Sequence, residues 1–92
     1  MKVSFLDRFR RQCREAGPRD QAALLKLILD IETALSNPQD HRGIGLRKLH
    51  PMGIWEVRVG LSLRALFRLS DDEVIFAFLG THDEVKRFLK SL

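Results

Sequence analysis

The chain is nearly devoid of cysteine. Cys13 stands alone, which excludes an intramolecular disulfide and any zinc site built on several thiolates. It falls on an apolar helical face and reads as a small core residue. The lack of a disulfide framework fits a reducing cytoplasm, the expected compartment. Long hydrophobic runs are also missing: the longest, Val74 to Leu79, is far too short to span a membrane. Charges are scattered through the first fifteen residues, so no signal peptide is expected there. The sequence carries no glycine-rich phosphate loop, no nucleophile elbow and no cluster with metal-ligand spacing, so neither metal nor cofactor is expected. It shows no repeat, low-complexity segment or linker, and residues 1–92 read as one domain.

What is present is ordinary in amount and informative in order. At 92 residues, 45% hydrophobic and 30% charged, the chain suffices for one modest core. Its net charge of +4 and pI near 9.8, with no acidic tail, favour a polyanionic partner, either nucleic acid or an acidic protein.

The most patterned stretch runs from Ile54 to His82. Trp55-Glu56-Val57-Arg58-Val59 and Leu63-Arg64-Ala65-Leu66-Phe67-Arg68-Leu69 alternate apolar with polar residues, the period of half-buried strands. Between them Gly60-Leu61-Ser62 makes a tight turn. After Ser70-Asp71-Asp72-Glu73, the run Val74 to Leu79 is almost wholly apolar and suits a strand covered on both faces. Short connections make this an antiparallel meander, with Trp55, Val57 and Val59 on one face and Glu56 and Arg58 on the other. If the Gly60–Ser62 loop is symmetric, Arg58 sits opposite Arg64, an unfavourable pairing of like charges. The second hairpin, folded about Asp71-Asp72, brings Leu79 alongside Arg64, and His82 emerges at the same sheet end. Two arginines and a histidine there would make an anion site. The same pattern also fits two arginines lying along the sheet and pointing into water, because one slip of register flips every side chain.

The remainder is helical or irregular. Lys2 to Phe5 reads as a short strand or a lead-in. Leu6, Phe9, Cys13 and Ala16 recur at helical spacing, and Gly17-Pro18 breaks that helix. A second helix is expected from near Asp20 to about Leu35, stopped by Ser36-Asn37-Pro38, completing an antiparallel helical hairpin. Residues 39–45 read as a surface loop, Leu46 to Leu49 as the start of a strand, and His50 to Gly53 as a turn. Thr81-His82-Asp83-Glu84 is a capping box that opens a C-terminal helix, whose Val85, Phe88 and Leu89 pack back onto the sheet. The expected fold class is therefore α+β: a helical hairpin on a mostly antiparallel sheet of about four strands, with a short C-terminal helix.

His82, opening a helix after a glycine, has the chemistry of a general acid or base; the competing reading is a surface histidine that fills a helix start. His41 and His50 read as surface residues, His50 with a possible role as an RNA contact. Asp71-Asp72-Glu73 is turn chemistry rather than a catalytic carboxylate pair, and Trp55 is read as core rather than a base-stacking platform.

Lys48-Leu49, the three strand segments and Leu79-Gly80-Thr81-His82-Asp83-Glu84, in this order and spacing, resemble the RelE/ParE toxin superfamily of bacterial type II toxin–antitoxin systems. The likeness is clearest from Leu46 to Leu89; the N-terminal helices match in kind only. It implies a ribosome-dependent, metal-independent mRNA endonuclease that inhibits translation, in which the ribose 2′-hydroxyl attacks the adjacent phosphate. Its partners would be mRNA in the ribosomal A site, the ribosome and a cognate antitoxin, without a membrane. Under this resemblance Arg64 matches the arginine that opens a family strand, Arg58 a basic strand residue, and His82 the catalytic histidine of the G-[ST]-H turn in YafQ-like toxins. Arg47, Lys48, His50 and Arg68 would contact RNA or phosphate, and Phe88 would stack a base. RelE itself has arginine in place of the histidine and a tyrosine near its C-terminus. This chain has no tyrosine, so proton transfer shifts to His82. The first strand, well formed in most members, is expected here to be short or missing. Two alternatives share the resemblance: a ParE-like, non-enzymatic inhibitor of DNA gyrase, and a HigB-like or orphan module that binds nucleic acid or protein.

Overall fold

A computed structural model describes residues 1–37, 45–49 and 53–92. In chain order the elements are β1 (Lys2–Phe5), α1 (Asp7–Glu15), α2 (Pro18–Ser36), β2 (Arg47–Leu49), β3 (Ile54–Val59), β4 (Leu63–Ser70), β5 (Glu73–Thr81) and α3 (His82–Lys90). The strands form one sheet in the order β1-β5-β4-β3-β2. The α+β class stands, but the sheet has five strands and is mixed, not the roughly four expected.

The additional strand is β1, which pairs parallel to β5. Four residues suffice because both ends are tied. The Lys2 N–H donates to the Asp72 carbonyl at 2.8 Å and the Leu6 N–H to the Phe76 carbonyl at 3.0 Å. The Ser4 hydroxyl donates to the Glu73 carboxylate, while Val3 and Phe5 pack on the main core.

Alternation gives the sheet two apolar faces. On one, Val57, Val59, Ala65, Phe67, Val74, Phe76 and Leu79 meet Phe9, Leu24, Leu27 and Ile31 of the first two helices. Phe76 anchors this core, its ring centre 5.1 Å from Phe9 and 5.5 Å from Phe67. On the other face Ile54 and Leu66 pack against Val85 of α3, joined by Leu49, Phe78, Phe88 and Leu89. Strand β5 is therefore covered from both sides, by α1 and by α3, as its unbroken apolar run requires.

The two N-terminal helices are separated by Ala16 and Gly17, and each packs chiefly on the sheet: α1 on β5 and α2 on β3. Helix α2 starts at Pro18, two residues before the expected Asp20, because proline at the first helical position forfeits no intrahelical bond.

One register differs from the sequence pattern in a way that matters. From Ser70↔Glu73 to Phe67↔Phe76 the β4–β5 hairpin follows the simple fold about Asp71-Asp72; then Leu66 pairs with Phe78, leaving Ala77 as a bulge. Arg64 consequently faces Gly80, and the expected neighbour Leu79 pairs with Ala65. The extra residue switches the faces of β5: Phe76 belongs to the first core, Phe78 to the second, and Leu79 returns to the first. Beyond Phe76 strand β1 has ended, and the Leu79 N–H donates instead to Oε1 of Gln12 at 2.7 Å.

Candidate active site

The β3–β4 hairpin closes through Gly60, whose φ of 63° is costly for any residue with a side chain. The loop is symmetric: Val59 pairs with Leu63 and Arg58 with Arg64. The opposition of like charges thus occurs, and Glu56 offsets it. Glu56 lies two residues before Arg58 on the same face and accepts a hydrogen bond from Nη1 of Arg64 at 2.8 Å. This glutamate is only 5% exposed, while the Arg64 side chain is 30% exposed. Arg47 stands directly across from Glu56 on β2, so among the described residues three arginines share a face around one buried carboxylate.

Arg58 is exposed, and the chain just before β2 runs against it. A Cβ added to Gly45 would stand 2.5 Å from Arg58 Nε, an arginine side chain that could shift, but the φ of 70° at Gly45 already disfavours any residue with a side chain there.

His82 reaches the same sheet end through β5. Thr81 pairs with Leu63, the neighbour of Arg64, and His82 is the exposed first residue of α3. The expected capping box forms in full: the Glu84 N–H donates to Thr81 Oγ1 at 3.2 Å, and the Thr81 N–H donates to Glu84 Oε1 at 2.8 Å. These bonds from Thr81 hold the Glu84 carboxyl below its ordinary range. Gly80 keeps the strand-to-helix turn tight, since a Cβ there would lie 2.9 Å from Phe78 Cε2 and 3.0 Å from Glu84 Cβ.

The structure thus gathers Arg58, Arg64 and His82 at one sheet end, with Arg47 on the same face. Lys48 pairs with Trp55 and points to the opposite face, its Nζ 6.0 Å from the Trp55 ring centre. Arg68 shares the face of Arg64 but lies four residues further along β4, a separation of about 13 Å. Phe88 is half-buried, its ring 4.3 Å from that of Phe78 and 5.1 Å from the Arg8 guanidinium. His50 and His41 lie outside the described residues. Trp55 stacks on Phe67 at 6.2 Å as part of the core margin. Burial pushes the Cys13 thiol up, which keeps it protonated. Among the described residues no group of His, Cys, Asp and Glu could hold a metal ion, and no helix is long and apolar enough to cross a membrane.

Sequence reasoning missed Glu56. The signal was present, for a glutamate on the polar face of a strand beside two opposed arginines is the anion that cross-strand electrostatics demands. A half-exposed guanidinium fixed by a carboxylate, a second arginine opposite and a histidine at a helix start can bind a phosphodiester and move a proton.

No known family profile matches the chain, and no curated protein matches it in sequence. Solved structures do match in fold. The RelBE2 toxin–antitoxin complex of Mycobacterium tuberculosis aligns with a TM-score of 0.65 at 21% identity, over 88% of this chain and 96% of that one. The RelB–RelE antitoxin–toxin complex of Methanococcus jannaschii gives a TM-score of 0.67 at 15% identity, over 94% and 98%. The DinJ–YafQ complex of E. coli gives 0.63 at 16% identity, over 91% and 96%. The chain therefore has the fold of the RelE- and YafQ-type toxins of toxin–antitoxin systems.

Proposed function

We propose that this protein is the toxin of a toxin–antitoxin pair and cleaves mRNA on the ribosome without a metal. The observation that carries the proposal is the opposition of Arg58 and Arg64 at the sheet end from which His82 emerges. The two guanidiniums bind the scissile phosphate and stabilise the charge that builds on it in the transition state. The ribose 2′-oxygen attacks phosphorus, the bond to the 5′-oxygen breaks, and a 2′,3′-cyclic phosphate and a 5′-hydroxyl result. His82 moves a proton in this exchange, giving one to the leaving oxygen or taking one from the 2′-hydroxyl. Arg47 adds positive charge on the same face and extends the path for the RNA backbone. The cognate partner is an antitoxin with enough negative charge to cover this basic face of a +4 protein, as the fold neighbours solved with their antitoxins support.

The test is induced expression in bacteria of the wild type beside His82→Ala, with transcripts mapped for new 5′ ends inside translated frames. Cleavage by the wild type, reduced about 10²–10⁴-fold in the variant as for loss of a general acid or base, supports the assignment. Growth arrest with intact mRNA points to the gyrase-inhibitor reading, and full cleavage by His82→Ala removes the histidine from the mechanism.

A further inference from the structure

We propose that Glu56 is a positioning residue, fixing the Arg64 guanidinium so that it meets the phosphate already oriented; this rests on the reading of Arg64 as a phosphate ligand. A carboxylate only 5% exposed is costly to retain on a strand face that it shares with Ile54 and Leu66. Buried ion pairs are commonly no more stabilising than apolar residues of the same volume, so stability alone does not account for it. Its geometry supplies a reason. A guanidinium offers five N–H donors in one plane, and the bond from Nη1 to Glu56 at 2.8 Å pins that plane at one corner. The remaining edge belongs to a side chain still 30% exposed, placed to face an incoming anion.

Charge leads to the same assignment. Arg58 stands directly opposite Arg64 and Arg47 directly opposite Glu56. Without the carboxylate, Arg64 would turn away from Arg58 by like-charge repulsion and recover its rotamer freedom. With it, the face stays positive yet ordered. Glu56 itself is too buried to touch RNA, so it acts through Arg64.

A double-mutant cycle on cleavage of ribosome-bound mRNA by the purified protein tests this. Glu56→Gln keeps the size and an acceptor oxygen while removing the charge. It should slow single-turnover cleavage on the order of 10- to 100-fold, the range for partners that orient a functional group. In an Arg64→Ala background the same change should cost nothing further. Glu56→Asp, which keeps the charge on a shorter arm, should retain part of the rate. A wild-type rate in Glu56→Gln, or a loss that persists in full without Arg64, overturns the proposal. Should the wild type cleave no mRNA, the nuclease reading fails and binding of a 2′-O-methyl oligoribonucleotide decides the positioning role. Glu56→Gln must weaken that binding only when Arg64 is present, and equal binding overturns it. The wild type supplies a readout that no folding defect can obscure: the Arg64 Nη1 protons, held by Glu56, should give a distinct NMR signal with slowed rotation about the Cζ–Nη1 bond, and a signal averaged like that of a free arginine contradicts the fixed guanidinium.

Discussion

Removing Arg64 alone should destabilise the protein more than removing both members of its ion pair. The pair is close, with Nη1 of Arg64 2.8 Å from Oε1 of Glu56. At an effective dielectric near 20 that separation corresponds to about 6 kcal/mol of gross Coulomb energy. Most of it is offset by the hydration both groups surrender, and solvent reaching the 30% exposed Arg64 side chain screens the rest. Hydrogen bonds to charged groups retain about 1.5–3 kcal/mol net, so Arg64→Ala, which strands a buried carboxylate, should cost about 2 kcal/mol. For a domain of this size that lowers Tm by about 8–16 °C. In Glu56→Leu/Arg64→Ala no charge is stranded, and the new leucine meets Leu66 directly across β4, so most of the loss should return. Urea denaturation followed by the fluorescence of Trp55, the sole tryptophan and stacked on Phe67, measures all three proteins. An Arg64→Ala variant within about 0.5 kcal/mol of wild type, the usual margin for a surface substitution, would refute the buried-pair account. So would a double variant no more stable than the single.

Further outcomes follow from three other parts of the fold. Phe76→Ala empties a fully buried site ringed by Phe5, Phe9 and Phe67 and should cost about 3–5 kcal/mol, a large share of any small domain's stability, read as a lowered urea midpoint. Thr81→Ala removes the side-chain half of the capping box and should cost about 1 kcal/mol. Because Thr81 lowers the Glu84 carboxyl, its contribution is complete above the ordinary glutamate range and fades as pH falls through the lowered value. Melts across acidic pH should therefore show a flatter dependence in Glu84→Gln than in wild type. Gln12→Ala deprives the buried Leu79 N–H of its acceptor and should cost about 1–3 kcal/mol, with faster hydrogen exchange at Leu79 and unchanged exchange at Val57.

How far the sequence could be read depended on whether the signal was local. The meander was legible because alternation with a period of two is a property of each strand by itself, and the turn at Gly60–Ser62 set the pairing of Arg58 with Arg64. The capping box was legible because Thr81 and Glu84 satisfy each other within one turn. Strand β1 was ambiguous, since Lys2 to Phe5 is too short to declare a strand without its partner β5, which lies about seventy residues away. The bulge at Ala77 left no mark either, because the run Val74 to Leu79 is apolar on both faces and conceals a change of face. That single residue put Gly80 beside Arg64, where a regular hairpin would have put a leucine side chain. Lys48 was read with Arg47 as a phosphate contact, but adjacent strand residues face opposite ways, and pairing with Trp55 places Lys48 on the other side of the sheet.

The central claim is tested most directly by incubating the purified protein with ribosomes stalled on a defined mRNA, in the presence of a chelator, and analysing the RNA ends. The account predicts cleavage within the A-site codon, leaving a 2′,3′-cyclic phosphate and a 5′-hydroxyl. It also predicts a rate that falls about 10²–10³-fold in Arg64→Ala, as when a transition-state donor is removed, and comparably in His82→Ala. Intact mRNA from a protein that nevertheless arrests growth, or cleavage unaffected by either substitution, would contradict it.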